Sequence, residues 1–256
     1  MDKVIVITGA SAGIGAELAR QAGEKGAKLV LAARRQPELE AVAARSGREA
    51  IAVVTDATKR SDMERLRDAA LKRFGRIDVW VNNAGRGITR PVSELTDEDI
   101  DVMMRDNVKS ALYGMQVVLP HFKERNAGQI LNVSSGLARL PLAPFRSAYS
   151  AAKHALNGLT ACLRMELLQS HPGIMVSVVM PGVVATEFGN NAVGGGPDSR
   201  ALPGAQSVED ATKVILDVIE NPRPEAYTQP NMKAEVERYY RDVAAFEAEA
   251  SARFRR

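Results

Sequence analysis

The sequence of 256 residues contains a single cysteine, Cys162, so no internal disulfide can form. Cys162 follows Leu159 in an apolar helical pattern, which favours a buried structural thiol over a nucleophile. Histidine is also scarce, and none of the three residues has a cysteine or paired carboxylates at ligand spacing: His121, His154 and His171. The sequence therefore predicts neither a disulfide scaffold nor a metal site.

Long hydrophobic runs and a strong charge imbalance are missing as well. No apolar stretch is long enough to span a bilayer, and the N-terminus lacks the pattern of a signal peptide. The 34 basic and 31 acidic residues are scattered along the chain, and no basic run supports nucleic-acid binding. We therefore expect a soluble cytoplasmic protein that binds neither membranes nor nucleic acid.

Short β-branched apolar runs alternate with longer amphipathic stretches. Strands are predicted at 4–8, 29–32, 50–55, 79–82, 129–134 and 176–180, and helices at 13–25, 37–46, 61–74, 97–125 and 149–170. Nearly continuous apolar runs are typical of strands covered on both faces. The alternation predicts an α/β fold with a doubly wound, mostly parallel sheet of about seven strands, flanked by helices in a single domain.

The C-terminal part is less regular. A glycine-rich loop at 194–197 precedes a helix at 208–220, and a short strand at 225–228 could close the sheet. Residues 1–230 are therefore predicted to form the domain, and 231–256 a helical tail. The tail carries an apolar stripe that we expect to dock on this domain or on a neighbouring subunit: Val236, Tyr240, Val243, Phe246, Ala250 and Phe254.

A glycine cluster follows the first predicted strand and opens the first helix. Gly9, Gly13 and Gly15 allow a tight turn and close approach of the backbone to a pyrophosphate. The helix N-terminus would add free N–H groups and the positive end of its dipole. The predicted dinucleotide-binding loop also includes Ser11, Ala12 and Ile14.

Two arginines, Arg34 and Arg35, follow the second predicted strand, where an acidic residue would bond a ribose 2′-hydroxyl. Arg34 can clamp a 2′-phosphate and stack on adenine, whereas Arg35 reads more readily as a solvated residue. The sequence therefore predicts NADP(H) in preference to NAD(H).

Tyr149 and Lys153 stand four residues apart, which places them on one face of a helix. A tyrosine hydroxyl ionises near pH 10, and a neighbouring cation lowers that pKa toward neutrality. The pair could therefore serve as a general acid and base. Alone, the spacing is common enough to be a coincidence on a solvated helix face.

Together these motifs resemble the short-chain dehydrogenase/reductase family over about the first 220 residues. The matching elements occur in the family's order: the 8–15 glycine motif, Asp56, Asn82-Asn83-Ala84-Gly85, Asn107, Asn132-Val133-Ser134-Ser135, Tyr149-x-x-x-Lys153 and Pro181-Gly182-Val183-Val184-Ala185-Thr186. The resemblance implies a Rossmann-like fold and hydride transfer between a nicotinamide and a carbonyl or alcohol.

The resemblance also implies the residues that bind the cofactor. Asp56 and Ala57 would contact adenine, and the segment Asn83, Ala84 and Gly85 would line the adenosine ribose. The segment after the sixth strand would hold the nicotinamide carboxamide through four residues: Pro181, Gly182, Val184 and Thr186.

In the family's mechanism, Tyr149 would donate a proton to the substrate oxygen and Ser135 would hydrogen-bond that oxygen. Lys153 would lower the Tyr149 pKa and hold the ribose hydroxyls, and Asn107, at a break in the fourth helix, would position a water. The interval from Ser135 to Tyr149 is one residue longer than in many members, so Ser134 is the alternative.

The expected substrate is a medium-sized apolar ketone, aldehyde or secondary alcohol, flanked by Leu137, Leu142, Phe145 and Phe188. Arginines near the predicted rim could meet an acidic substrate, although such residues are often solvated: Arg86, Arg90, Arg139 and Arg146. The alternative function is an NADP(H)-binding sensor or scaffold with little turnover. Many family members end with a glycine-rich strand that packs in a tetramer interface, whereas Pro222, Pro224 and an amphipathic tail stand here instead. The resemblance implies a homodimer or a homotetramer.

Overall fold

The strands form one seven-stranded parallel sheet. The computed structural model describes residues 1–253 and orders the strands β3-β2-β1-β4-β5-β6-β7. Their bounds are β1 Val4–Thr8, β2 Lys28–Ala33, β3 Ala50–Val54, β4 Val79–Asn82, β5 Gly128–Val133, β6 Ile174–Met180 and β7 Glu225–Tyr227. The predicted single-domain Rossmann-like fold is confirmed. Between β1 and β4 the strand order reverses, and such folds bind ligands in the crevice outside the carboxyl ends at that point.

The helices cover both faces of the sheet. They are α1 Gly13–Glu24, α2 Gln36–Arg45, α3 Arg60–Phe74, α4 Asp97–Met104, α5 Ser110–Arg125, α6 Ser147–Ser170, α7 Val208–Glu220, α8 Met232–Arg241 and α9 Val243–Arg253. No helix within residues 1–253 combines the length and apolar character needed to cross a bilayer.

The predicted helix at 97–125 is interrupted by a π-helical turn at Arg105–Lys109. The α4 helix starts from a capping box in which Thr96 accepts from the Asp99 N–H and the Asp99 carboxylate accepts in return. Asn107 lies inside the π turn, which agrees with the predicted break. Such turns are rare and occur frequently at functional sites.

Alternation along the strands divides the apolar core into two layers. On β1, Ile5 and Ile7 pack with α1 and α7, whereas Val6 packs with Trp80 and helices α3 and α5 on the opposite face. All three β1 side chains are fully buried. The sheet is therefore held rigidly from both faces, which fixes the loops at its carboxyl edge.

A chain of buried polar side chains joins β4, β5 and α6. The Trp80 Nε1–H donates to Asn82 Oδ1 at 2.9 Å, and Asn82 Nδ2 donates to Asn132 Oδ1 at 2.8 Å. Asn132 Nδ2 then donates to Thr160 Oγ1 at 2.8 Å. Because buried polar groups are costly when unpaired, this chain fixes the position of α6 relative to the sheet.

The expectation that Cys162 is buried is wrong, because its side chain is exposed. The buried face of α6 includes Leu156, Thr160 and Leu167. A residue two positions after Thr160 lies about 200° further around the helix, which places it on the opposite side. Cys162 and Leu159 therefore lie on an exposed face of α6, whereas the neighbouring Leu163 packs partly against the core.

The tail forms α8 and α9, which pack on the same chain. Phe246 and Ala250 are buried against Leu140. Tyr240 and Val243, which were predicted to dock, are exposed instead. Extended backbone between the two helices interrupts the periodicity and turns these two side chains away. Phe254, the last member of the predicted stripe, lies outside the described residues.

Candidate active site

Tyr149 and Lys153 lie in the first turns of α6 and are both buried. Their exposed fractions are 7% and 3%. The Lys153 Nζ atom lies 5.6 Å from the centroid of the Tyr149 ring and donates to the Val133 carbonyl oxygen at 2.9 Å. The α6 helix therefore brings the predicted phenol and ammonium to the carboxyl end of β5.

Ser135 follows β5 and hydrogen-bonds the Tyr149 phenol with its hydroxyl. The same hydroxyl oxygen accepts from the Leu137 N–H at 3.2 Å, which fixes its direction. Ser134, the alternative from the sequence, donates to the Lys153 carbonyl oxygen at 3.4 Å. Ser135 is therefore the serine whose hydroxyl meets Tyr149.

The pKa values of the buried pair differ from the sequence prediction. Burial raises the pKa of Tyr149 to about 12, while the Ser135 hydrogen bond and the positive charge of Arg146 act in the opposite direction. Burial lowers the pKa of Lys153 to about 8. The positive charge that acts on the Tyr149 pKa is that of Arg146, and a lowering by Lys153 stays a prediction. Enclosure disfavours the charged form of both groups.

Asn107 and Lys153 lie on the same side of Gly85. A Cβ atom at Gly85 would lie 2.7 Å from Asn107 Oδ1 and 3.5 Å from Lys153 Nζ. The Asn107 Nδ2 group donates to the carbonyl oxygens of Arg86 and Met103, at 2.9 and 3.1 Å. Its Oδ1 accepts from the Arg86 N–H at 3.2 Å. The π turn therefore places Asn107 beside the buried ammonium.

The glycine loop crosses the carboxyl end of β1 in a conformation that favours glycine. Gly9 and Gly13 have φ angles of 67° and 54°. A Cβ atom at Gly9 would lie 2.9 Å from the Ala84 Cα. Asn83 Nδ2 donates to the carbonyl oxygens of Thr8 and Gly9, at 3.0 and 3.2 Å. The predicted segment at 83–85 therefore holds the loop in place.

The start of α1 fits a phosphate group. No side chain in the described part of the chain caps the first turn of this helix, so its N–H groups face outward from the loop. The loop and first turn bring together Ser11, Ala12, Ile14 and Gly15. Thr186, after β6, lies over this loop: a Cβ atom at Gly13 would be 3.3 Å from its methyl group.

The segment after β6 contacts the serine turn. The Gly136 N–H donates to the Pro181 carbonyl oxygen at 2.7 Å. The Gly182 N–H donates to Thr228 Oγ1 at 3.3 Å, and Val184 is buried. Both segments that the family motif assigns to the nicotinamide and the reacting oxygen thus meet at the carboxyl ends of β5 and β6.

At the end of β2 the two arginines are exposed, and Arg35 reaches the glycine loop. Its Nη2 group donates to Ser11 Oγ at 3.2 Å, and its Nη1 lies 3.4 Å from Glu38 Oε1. From the sequence, Arg35 was expected to be a solvated residue. The sequence does place a second guanidinium, that of Arg35, next to the predicted phosphate-binding loop. Which of the two arginines reaches that loop depends on the turn that follows β2.

Asp56 and Ala57 follow β3 at the same edge of the sheet. Asp56 Oδ1 accepts from the Thr58 N–H at 3.0 Å and from the Thr58 hydroxyl at 2.7 Å. Its own N–H donates to Asp62 Oδ2 at 3.0 Å. Ala57 is partly buried against the core. The carboxylate is therefore oriented by its own turn.

The predicted substrate residues separate into different surroundings. The Phe188 ring packs against Tyr149 at a tilt of 58°, with ring centroids 5.5 Å apart, and Leu137 packs in the same cluster. Leu142 packs instead against the cluster formed by the tail helices. The Arg146 guanidinium lies over the Phe145 ring, with its Cζ atom 5.7 Å from the ring centroid. Only Phe188 and Leu137 of the four therefore pack in the cluster around Tyr149.

A family model described as short chain dehydrogenase matches residues 3–194. The chain belongs to the short-chain dehydrogenase family. An uncharacterized oxidoreductase of Listeria innocua is 42% identical over 191 residues, covering 73% of this chain and 76% of that protein. Membership thus extends over the whole candidate site up to the loop after β6.

Solved structures of this family match the fold over nearly the whole chain. A short-chain dehydrogenase/reductase from Burkholderia phymatum, in complex with NAD, has a TM-score of 0.86 and 28% identity and covers 94% of both chains. An alcohol dehydrogenase from Thermococcus sibiricus, in complex with 5-hydroxy-NADP, has a TM-score of 0.76 and 29% identity. It covers 88% of this chain and 95% of that one.

Proposed function

We propose that the protein is an NADP(H)-dependent carbonyl reductase or alcohol dehydrogenase in which Tyr149 is the general acid and base. The observation that carries the proposal is the hydrogen bond between Ser135 and a buried Tyr149, beside the carboxyl ends of β5 and β6. Two neighbouring hydroxyls in an apolar enclosure suit a carbonyl oxygen that gains negative charge.

The cofactor would be held by residues already oriented for it. The uncapped first turn of α1 would bind the pyrophosphate, and Asp56 would bond the adenine. Thr186 and the Pro181 segment would hold the nicotinamide end, with Lys153 on the ribose hydroxyls. The bound nicotinamide supplies or accepts the hydride. Relatives of known structure carry NAD in one case and 5-hydroxy-NADP in another, which supports a nicotinamide cofactor of either kind.

During reduction, Tyr149 would donate its proton to the substrate oxygen while Ser135 hydrogen-bonds the same atom. A pKa of about 12 keeps the phenol protonated at neutral pH, which is the form that an acid needs. The Lys153 ammonium, buried beside it, would then stabilise the phenolate that remains. Asn107 would position a water beside Lys153 through which the proton is replaced.

The preference for NADPH is proposed to depend on both arginines after β2. We expect Arg34→Ala and Arg35→Ala each to lower kcat/KM for NADPH by about tenfold or more, because each removes a charged donor from a 2′-phosphate. The value for NADH should change less than threefold. Steady-state kinetics with the two cofactors measure this ratio. Arg48→Ala, at an exposed arginine just before the amino end of β3, is the matched control.

An unchanged NADPH to NADH ratio in one variant would remove that arginine from the role. Unchanged ratios in both variants would remove both arginines from the role, and a wild-type kcat/KM for NADH equal to or above that for NADPH would overturn the NADP(H) preference itself. A loss that is equal for both cofactors would point to a damaged glycine loop, since Arg35 contacts Ser11.

The enzymatic function is tested by NADPH oxidation across a broad panel of ketones and aldehydes, with NADP⁺ reduction by the matching alcohols. Turnover of at least one carbonyl, stimulated by the protein above the background rate, is the expected result. NADPH binding without turnover of any member would favour the sensor or scaffold function instead.

An exposed apolar face on α6 supports the proposed homodimer or homotetramer. Met165 and Leu168 are 69% and 56% exposed, and Leu159 lies on the same helix. Large exposed apolar patches mark interaction sites. We expect sedimentation velocity to give a dimer or tetramer, and Met165→Lys to shift the protein toward the monomer. A monomer in the wild-type protein at micromolar concentration would contradict the proposal.

A further inference from the structure

Arg146, at the start of α6, is a buried guanidinium without an acidic partner. It is only 8% exposed. Its Nη1 group donates to the Ile88 carbonyl oxygen at 3.2 Å. Within residues 1–253 no carboxylate forms an ion pair with this guanidinium or raises its pKa. Desolvation lowers its pKa, as expected for a charge that burial penalises. Buried charges in proteins are normally paired or hold a ligand.

The other arginines at this rim are satisfied differently. Arg90 pairs with Asp99 at 3.0 Å, and Arg139 pairs with Glu225 at 2.6 Å. Arg86 is exposed, and its Nε–H donates to a backbone carbonyl oxygen at 3.3 Å. Arg146 therefore differs from its neighbours in being both buried and without a counter-charge.

A second polar group beside Arg146 also has no partner. The Thr89 Oγ1 atom is buried and forms no hydrogen bond with any described residue. A Cβ atom at Gly196 would lie 2.8 Å from this oxygen and 2.8 Å from Arg146 Nη2. The hydroxyl oxygen and the guanidinium nitrogen therefore lie close together beside Gly196, a position that the Gly189 carbonyl oxygen, also 2.9 Å from such a Cβ atom, makes too tight for any side chain. A hydroxyl and a guanidinium together are suitable donors for a carboxylate.

These two groups adjoin the Tyr149 cluster. The charge of Arg146 acts on the Tyr149 phenol and lowers its pKa against the effect of burial. Phe188, which packs against Tyr149, also approaches Arg146: a Cβ atom at Gly87 would lie 3.0 Å from the Phe188 ring and 3.1 Å from Arg146 Nη1. One small molecule could therefore place an oxygen at Tyr149 and a negative group at Arg146.

We propose that Arg146, assisted by Thr89, binds the carboxylate of the substrate, so that the enzyme acts on oxo acids and the corresponding hydroxy acids. The inference rests on the proposed function and names its substrate class. In the reaction the ketone carbon gains a hydride from NADPH and its oxygen gains a proton from Tyr149, giving a hydroxy acid and NADP⁺. The carboxylate is unchanged and supplies the counter-charge that Arg146 lacks.

The test compares a series of 2-, 3- and 4-oxo acids with their methyl esters as substrates. For the wild-type protein we expect kcat/KM for at least one acid to exceed that for its ester by about 10²-fold, because the ester cannot accept a bidentate, charge-assisted hydrogen-bond pair. Arg146→Gln should lower kcat/KM for the acid by about 10²-fold and leave kcat/KM for the ester within threefold of the wild-type value. Arg146→Lys should retain an intermediate preference. Thr89→Val should lower kcat/KM for the acid by a few-fold and leave kcat/KM for the ester unchanged.

Arg90→Gln is the matched control, since it removes a charge from the same loop but one that Asp99 already neutralises. This variant should keep the ratio of kcat/KM for the acid to kcat/KM for the ester within twofold of the wild-type ratio. Equal kcat/KM for acids and esters in the wild-type protein, or an equal loss of both in a folded Arg146→Gln variant, would overturn the assignment.

A binding experiment keeps the inference testable if Arg146→Gln does not fold or if no carbonyl is turned over. Calorimetry on the NADP⁺-loaded wild-type and Thr89→Val proteins would measure affinity for saturated monocarboxylates and for their amides. Carboxylate affinity at least tenfold above that of the amide, weakened by Thr89→Val, supports the site even where the enzymatic function fails. Carboxylate and amide binding that are equal, or both absent, would overturn it.

Discussion

Tyr149→Phe is expected to lower kcat for carbonyl reduction by about 10²–10⁴-fold, the usual contribution of a positioned general acid. The substitution removes only the hydroxyl and keeps the ring, which packs against Phe188 with centroids 5.5 Å apart. Binding of NADPH should therefore be unchanged. Single-turnover kinetics measure the chemical step, and quenching of protein fluorescence or calorimetry measures the dissociation constant of NADPH.

Two comparisons make this result specific. Ser135→Ala should produce a smaller but substantial loss, because it removes the hydroxyl that hydrogen-bonds the phenol. Tyr113→Phe, on α5 beside Arg60, is the matched control and should retain full activity. Turnover by Tyr149→Phe within threefold of the wild-type value would remove Tyr149 from the proton-transfer step.

Lys153→Met is expected to lower kcat for reduction by about 10²–10⁴-fold and to change the shape of the pH profile. Burial lowers the pKa of Lys153 to about 8 in the free protein, so its ammonium is lost as the pH rises through that value. We expect kcat/KM for reduction in the wild-type protein to be flat below about pH 8 and to fall above it. The residual rate of Lys153→Met should lack this alkaline limb.

The same pKa shift has a consequence for stability. In the unfolded chain Lys153 keeps its proton up to its ordinary pKa of 10.5, whereas in the folded protein it loses the proton near pH 8. Between these values the unfolded state binds more protons, so this residue makes folding more favourable as the pH rises. Denaturant unfolding should therefore show wild-type stability rising relative to Lys153→Met from pH 8 to 10.5.

Lys123→Met, at a surface lysine near Glu166, serves as the control for both readouts. It should leave the rate, the pH profile and the pH dependence of stability as in the wild-type protein. An alkaline limb that persists in Lys153→Met would assign that ionisation to another group.

The strands and their order could be predicted because each buried strand is a short apolar run and each crossover contains a helix. The glycine loop after β1 and the Tyr149–Lys153 spacing were readable for a related reason: they depend on residues close together in the sequence. Thr96 and Asp99, which begin α4, are likewise a local pattern.

The remainder depended on contacts between distant segments. A π turn interrupts the predicted helix at Asn107, where the side-chain amide forms two hydrogen bonds with the backbone of Arg86. The sequence does not reveal this contact. The Arg35 side chain points toward the glycine loop because it donates a hydrogen bond to Ser11, a contact between two different loops. The pKa of Tyr149 depends on how completely the fold encloses it, which the spacing from Lys153 does not reveal.

The central claim is that this site transfers a hydride from a nicotinamide to a carbonyl carbon. The most direct measurement is the fate of deuterium when the protein turns over a carbonyl with NADPH labelled at C4, prepared separately on each face. We expect deuterium on the carbinol carbon of the product from one label and none from the other. A protein that binds both labelled cofactors but gives no deuterated alcohol from any carbonyl would contradict this account.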